Sequence, residues 1–224
     1  MFSKSLKIKY KYWYRHAYLY DLIRKIRHKS ELAKWEDKGR LSPPPHIVKQ
    51  KTVKEYADKY SLHTLVETGT YFGDMIYATR DIFTKIYSIE LDPLLNDIAR
   101  KKFRKFKHIA IIQGDSENIL PEVLNQIIEP SLFWLDGHYS GSMTSKTNKN
   151  TPIMQELEHI LNHPIKNHVI LIDDAREFVG QNDYPTIEAV SEFVFSKRSK
   201  EEYILEVKND IIRIHQKLGL KTSY

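Results

Sequence analysis

From residue 63 onward the chain alternates between two hydrophobic periods. Short apolar runs are separated by segments whose apolar residues recur every three or four positions. The runs at 64–67 (TLVE), 85–90 (KIYSIE), 108–114 (HIAIIQG), 131–137 (SLFWLDG) and 168–174 (HVILIDD) predict strands buried on both faces. The segments 73–83, 93–106, 116–128, 152–163 and 185–197 predict helices, with Pro93 in the first turn of one of them. Two further strands, 203–208 and 211–217, meet at Asn209-Asp210, a hairpin-type turn. Strands that alternate with helices imply an α/β fold of the Rossmann-like kind. The expected sheet is seven-stranded and mainly parallel, with a C-terminal antiparallel hairpin and helices on both faces.

The first part of the chain reads differently. Residues 6–28 mix aromatics with Lys and Arg at helical spacing. They suit either a helix on the flank of the domain or a helix lying in a membrane interface. The prolines of LSPPPHIVKQ (41–50) break regular structure, and TVKEYADKY (52–60) predicts a short helix into the core. The expected organisation is a basic, aromatic helical extension over 1–44 and one domain over 45–224. Charge supports this division. Residues 1–50 hold 13 Lys and Arg against 4 Asp and Glu, a balance of +9, while the other 174 hold 22 against 25, a balance of −3. A basic arm of this kind suits a polyanionic surface, membrane or nucleic acid.

Composition narrows the chemistry. The chain has no cysteine, which removes disulfides, Cys-ligated zinc and thiol nucleophiles. It has no run of apolar residues long enough to span a bilayer, and its N-terminus lacks a signal-peptide pattern. The expected location is cytoplasmic, with peripheral membrane contact open through residues 6–28.

In an open parallel sheet, ligands bind beyond the carboxyl ends of the strands. Here five consecutive strands end in acids: Glu67, Glu90, Asp115, Asp136 (with His138 two residues on) and the pair Asp173-Asp174. The first strand leads into ETGTYFG, with Gly69 and Gly73. Gly69 suggests a backbone that must come close to a ligand. This turn is not the dinucleotide GxGxxG, and its leading carboxylate would repel a pyrophosphate. A ligand with an amino group and a positive centre suits it better. Glu90 follows Glu67 by 23 residues, near the spacing at which an acid reaches ribose hydroxyls.

This layout resembles the class I S-adenosylmethionine-dependent methyltransferases over residues 45–224. The resemblance implies that Glu67, Thr68, Gly69, Thr70 and Gly73 lie at the cofactor, Glu67 and Gly69 near its methionine portion. It matches Glu90 of YSIELD to the acid on the ribose, and Asp115 of QGDS, with Ser116, to the adenine side. The chain departs from the family at Tyr71, where the turn usually has its middle glycine.

Asp136, Asp173 and Asp174 lie where a methyl acceptor would sit. Three carboxylates that close repel one another unless a cation neutralises them, and oxygen ligands suit Mg²⁺. The set is similar to that of metal-dependent O-methyltransferases of the catechol and macrolide-sugar types. By that likeness Asp136, Asp173 and Asp174 would hold the ion. The candidate catalytic group is Asp136, His138 and Asp173, with His138 as base because, two residues on in an extended segment, it faces the same way as Asp136. A metal-free reading stays open, in which Asp136 is a cofactor-side carboxylate and Asp173 or Asp174 caps a helix or pairs with Arg176. The polar loop 138–151 suits a lid, and 179–186 would bring Asp183 and Tyr184 to the acceptor. His159 and His163 read as ordinary helix residues. The expected activity is O-methylation of a hydroxyl on a small molecule, sugar or glycan. Nucleic-acid methylation is less favoured, for want of an Asn-Pro-Pro-Tyr type box. A binding module without chemistry is the remaining alternative.

Overall fold

The computed structural model describes residues 19–137 and 151–219. Helix α1 (Leu19–Asp37) precedes α2 (His46–Lys59), and β1 (Thr64–Thr68) follows. The alternation continues with α3 (Asp74–Thr79), β2 (Lys85–Glu90), α4 (Pro93–Phe103), β3 (Ile109–Gln113), α5 (Ser116–Leu124) and β4 (Leu132–Leu135). It ends with α6 (Ile153–Asn162), β5 (Val169–Ile172), α7 (Ile187–Lys197), β6 (Tyr203–Lys208) and β7 (Ile211–Gln216). All seven expected strands form one sheet, in the order β3-β2-β1-β4-β5-β7-β6. The first five are parallel, and β7 is antiparallel to both β5 and β6. The mainly parallel α/β sheet read from the sequence is the sheet observed.

Strand alternation divides the core into two layers. Val66, Phe133, Leu135, Ile170 and Ile172 pack with α5, α6 and α7. Leu65, Leu132, Trp134, Val169 and Leu171 pack on the other face with α2, α3 and α4. Residues two positions on keep the same face, so Glu67 follows Leu65 and Thr68 follows Val66.

Helix boundaries differ from expectation for local reasons. The α2 helix starts at His46 and not at 52, because Pro45 is extended and sits at the N-cap, where a missing N–H costs nothing. Pro121 lies inside α5, so the carbonyl of Glu117 loses its donor four residues on. The His159 Nε2 of α6 lies 3.1 Å from that carbonyl oxygen and takes the donor's place. At the other end of α5, His163 Nε2 lies 3.1 Å from the Leu124 carbonyl. Both histidines thus serve α5 and stand apart from the strand ends. Among the described residues, no helix is long and apolar enough to cross a membrane. Most of the aromatic-basic stretch 6–28 and the loop from His138 through Asn150 lie outside the described residues.

Candidate active site

The turn after β1 is built by close backbone contacts. Gly69 has φ +84°, and a Cβ there would lie 2.3 Å from the Asp136 carbonyl oxygen. A side chain at this position is therefore already excluded by the end of β4. Gly73 caps α3 with φ +69°, and a Cβ there would lie 2.5 Å from the Phe103 ring. Tyr71 takes up left-handed backbone, φ 49°, where a glycine is usual. Its N–H donates to Glu90 Oε2 at 2.7 Å, and the N–H of Asp92 donates to Glu90 Oε1 at 2.9 Å. The carboxylate at the end of β2 thus fastens the turn after β1.

Glu67 is buried and accepts from Ser88 Oγ at 2.5 Å, across the β1–β2 register. Ser88 Oγ lies 2.6 Å from Thr70 Oγ1. The Thr68 hydroxyl faces away, toward Gly137 and Glu156. Thr70 thus supports the turn from within, while the buried Thr68 hydroxyl has no hydrogen-bond partner among the described residues. Asp115 caps α5 by accepting from the Glu117 N–H at 3.2 Å, and Ser116 is buried behind it. Gly114 N–H donates to the Glu90 carbonyl at 2.9 Å, which places this corner next to the end of β2.

The acids of this side feel one another. Burial pushes the Glu67 carboxyl well above the usual range, and the charges of Asp136, Glu90 and Asp74 push it further, against the Ser88 hydrogen bond. Burial pushes Glu90 up to about 7 while the N–H groups of Asp92 and Tyr71 pull it back.

On the β4–β5 side, Asp136, Asp173 and Asp174 come together as expected. Each offers a carboxylate oxygen, and these oxygens lie within 4.8 Å of one another. A cation already sits among them. Lys49 Nζ of α2 donates to Asp173 Oδ2 at 2.5 Å and to Asp174 Oδ1 at 3.2 Å. Arg176 Nη1 donates to the same Asp174 oxygen at 2.8 Å and also to Asp210. Burial pulls the Lys49 ammonium down, but Asp173, Asp174 and Asp136 outweigh it and hold the pKa above its ordinary value. Asp174 is in left-handed backbone, φ 55°, a conformation that turns its carboxylate back toward Lys49 and Arg176. A divalent ion does not fit these oxygens without displacing Lys49. The pairing of Asp174 with Arg176 is one that the sequence left open.

Loop 179–186 reaches the same place. Burial pushes the Tyr184 hydroxyl up, and Asp174, Glu177 and Asp136 add to the shift. Its ring packs edge-on against Phe178, with centroids 5.3 Å apart. His138 lies outside the described residues.

The sequence reading missed Lys49, Ser88 and Glu156. Lys49 had a signal. With Thr52, Val53 and Tyr56 it forms an i, i+3, i+4, i+7 set, and those three residues are buried. A lysine on the buried face of a helix needs an acidic partner.

No family model matches the chain, and no curated protein matches it. Solved structures do. The O-methyltransferase TomG from Streptomyces achromogenes, in complex with SAM, is 16% identical with a TM-score of 0.55, over 84% of this chain and 87% of that one. An O-methyltransferase from Bacillus cereus, in complex with SAH, is 15% identical with a TM-score of 0.52, over 84% and 90%. The SAH-bound methyltransferase PaMTH1 from Podospora anserina is 18% identical with a TM-score of 0.51, over 75% and 78%. The fold is the methyltransferase fold. In this sheet β1 lies between β2 and β4, and β4 between β1 and β5, so the carboxyl ends of these four parallel strands are neighbours.

Proposed function

We propose that this protein is an S-adenosylmethionine-dependent methyltransferase that methylates a hydroxyl of a small molecule, sugar or glycan. The observation that carries this reading is the position of Asp136. Its charge acts on Glu67 on one side and on Lys49 and Tyr184 on the other. On this reading a cofactor bed and an acceptor bed meet at Asp136. The acids around it fit a ligand with a positive centre, because such a ligand relieves the repulsion among Glu67, Glu90 and Asp136.

S-adenosylmethionine supplies the methyl group, and its S–CH₃ bond breaks with the electron pair left on sulfur. The acceptor oxygen forms the new C–O bond from a lone pair and gives up its proton. Asp136 is placed to take that proton and pass it to water, and Lys49 and Arg176 keep the neighbouring pair Asp173 and Asp174 compensated. Glu90 and Asp115 hold the nucleoside side, with Glu90 accepting from ribose hydroxyls through lone pairs beyond those used by Tyr71 and Asp92. TomG and the Bacillus cereus protein, both O-methyltransferases of this fold, support the choice of oxygen as acceptor.

The test is labelled methyl transfer from S-adenosylmethionine into a crude extract, followed by identification of the labelled product. Label on a hydroxyl-derived ether supports the reading. Absence of cofactor retention in equilibrium dialysis would end it, and label on a nucleic-acid base would replace the acceptor class.

A further inference from the structure

We propose that Lys49 is the resident cation of the acceptor side, and that Asp136, Asp173 and Asp174 are organised around its ammonium in place of a divalent metal ion. Three acids in reach of one another call for positive charge. The structure supplies it from the chain itself, through a residue 124 positions away from Asp173. Lys49 projects from the buried side of α2, and its side chain is only 13% exposed. The tether is firm, since α2 is packed into the core through Val53, Tyr56 and Ala57.

Both Asp173 oxygens are engaged, and one oxygen of Asp174 is engaged twice. Asp173 Oδ1 accepts from the Asp174 N–H at 2.9 Å, and Asp174 Oδ1 is shared by Lys49 and Arg176. Mg²⁺ requires near-octahedral ligands at about 2.0–2.1 Å and gives up water reluctantly. It would have to take the Asp173 and Asp174 oxygens from an ammonium already hydrogen-bonded to them. An ammonium does part of what such an ion does, as a compact charge with three N–H donors. It cannot accept a further oxygen ligand in the way a metal can, so it orients by hydrogen bonds alone. The cation placement stands on the geometry. Its consequence, transfer that needs no metal, rests on the methyltransferase reading.

The experiment is a Mn²⁺ titration of the full chain followed by electron paramagnetic resonance, run on the wild type, Lys49→Met, Lys49→Gln and the double variant Lys49→Met/Asp173→Asn. The wild type is expected to show no saturable site that depends on Asp173. Lys49→Met and Lys49→Gln should bind Mn²⁺ at least about tenfold more tightly, and the double variant should lose that gain. Saturable binding in the wild type that disappears in Asp173→Asn would overturn the proposal. So would a folded Lys49→Met protein with no gain. If neither Lys49 variant folds, the wild-type titration decides. Labelled transfer in excess chelator gives the second readout. Unchanged turnover agrees with the proposal, and loss restored by Mg²⁺ refutes it. A protein that neither binds S-adenosylmethionine nor transfers methyl would remove the methyltransferase reading and leave the Mn²⁺ result standing.

Discussion

At the ends of β1 and β2 the carboxylates are held by neutral donors, whereas at the end of β5 they are held by cations. Glu67 accepts from a serine hydroxyl and Glu90 from two backbone N–H groups. Asp173 and Asp174 accept from Lys49, and Asp174 also from Arg176. Both groups are buried, so both pay desolvation. Neutral donors leave negative charge in place, and fixed cations remove it. On the function proposed above, a positively charged ligand would complete the first half. The second half already holds cations at Asp173 and Asp174, which on the same reading leaves it to an acceptor without charge. Asp136 joins the two.

The largest effect is expected where the halves join. Asp136→Asn keeps the shape of the side chain and removes its charge and basicity. Turnover should fall by about 10²-fold or more, the range in which a positioned proton acceptor acts. The melting transition should persist, and cofactor binding should weaken far less than turnover. Turnover equal to wild type in a steady-state assay would mean that the proton leaves by another route, and the division at this residue would fail.

Next in size is the mechanical link between the halves. Gly69→Ala places a methyl 2.3 Å from the Asp136 carbonyl oxygen, in backbone with φ +84°. The turn after β1 or the end of β4 must then move. We expect a loss of about 3 kcal/mol in urea unfolding, from left-handed strain together with overpacking. A folded Gly69→Ala protein with full stability would show that the two ends are not in rigid contact.

The same contrast explains what could be read from the sequence. The central strands β1, β2, β4 and β5 were legible because they are buried on both faces and lead into acids, a local pattern that the side chains themselves carry. Asp136, Asp173 and Asp174 were legible as a group because strand order follows from alternation. Lys49 was not, because its partners lie across the sheet and α2 was read as starting six residues later than it does. That shift hid the helical face on which Lys49 shares a stripe with Val53 and Tyr56. The purpose of Gly69 was also hidden. A glycine after a strand marks close approach, but only the fold tells whether backbone or ligand is approaching. The double duty of Glu90, fastening the turn through Tyr71, depends on a left-handed non-glycine residue that no pattern rule favours.

The smallest effect, and the most informative for the cofactor half, belongs to Glu90. Its carboxyl is pushed up to about 7 by burial, so its folded-state pKa lies above the ordinary value of 4.5. The sign follows from linkage. A raised carboxyl pKa means that the folded form prefers the protonated state. The stability this gives is fully present below pH 4.5 and is lost as pH rises through about 7. Binding of a cationic nucleoside should run the other way over the same window, because the ionised carboxylate is the form that attracts it and accepts from its ribose. Melting temperature of the free protein is therefore expected to fall between pH 5 and 8, and S-adenosylmethionine affinity by calorimetry to rise, by up to about tenfold for one charge. Glu90→Gln should reduce both trends, leaving the part that Glu67 contributes. Affinity that is flat with pH in the wild type, or a slope that Glu90→Gln leaves unchanged, would detach this residue from the cofactor and leave it as a fastener of the turn alone. At the acceptor half burial also raises the Asp173 carboxyl, but there Lys49 opposes the shift, a counterweight that Glu90 lacks.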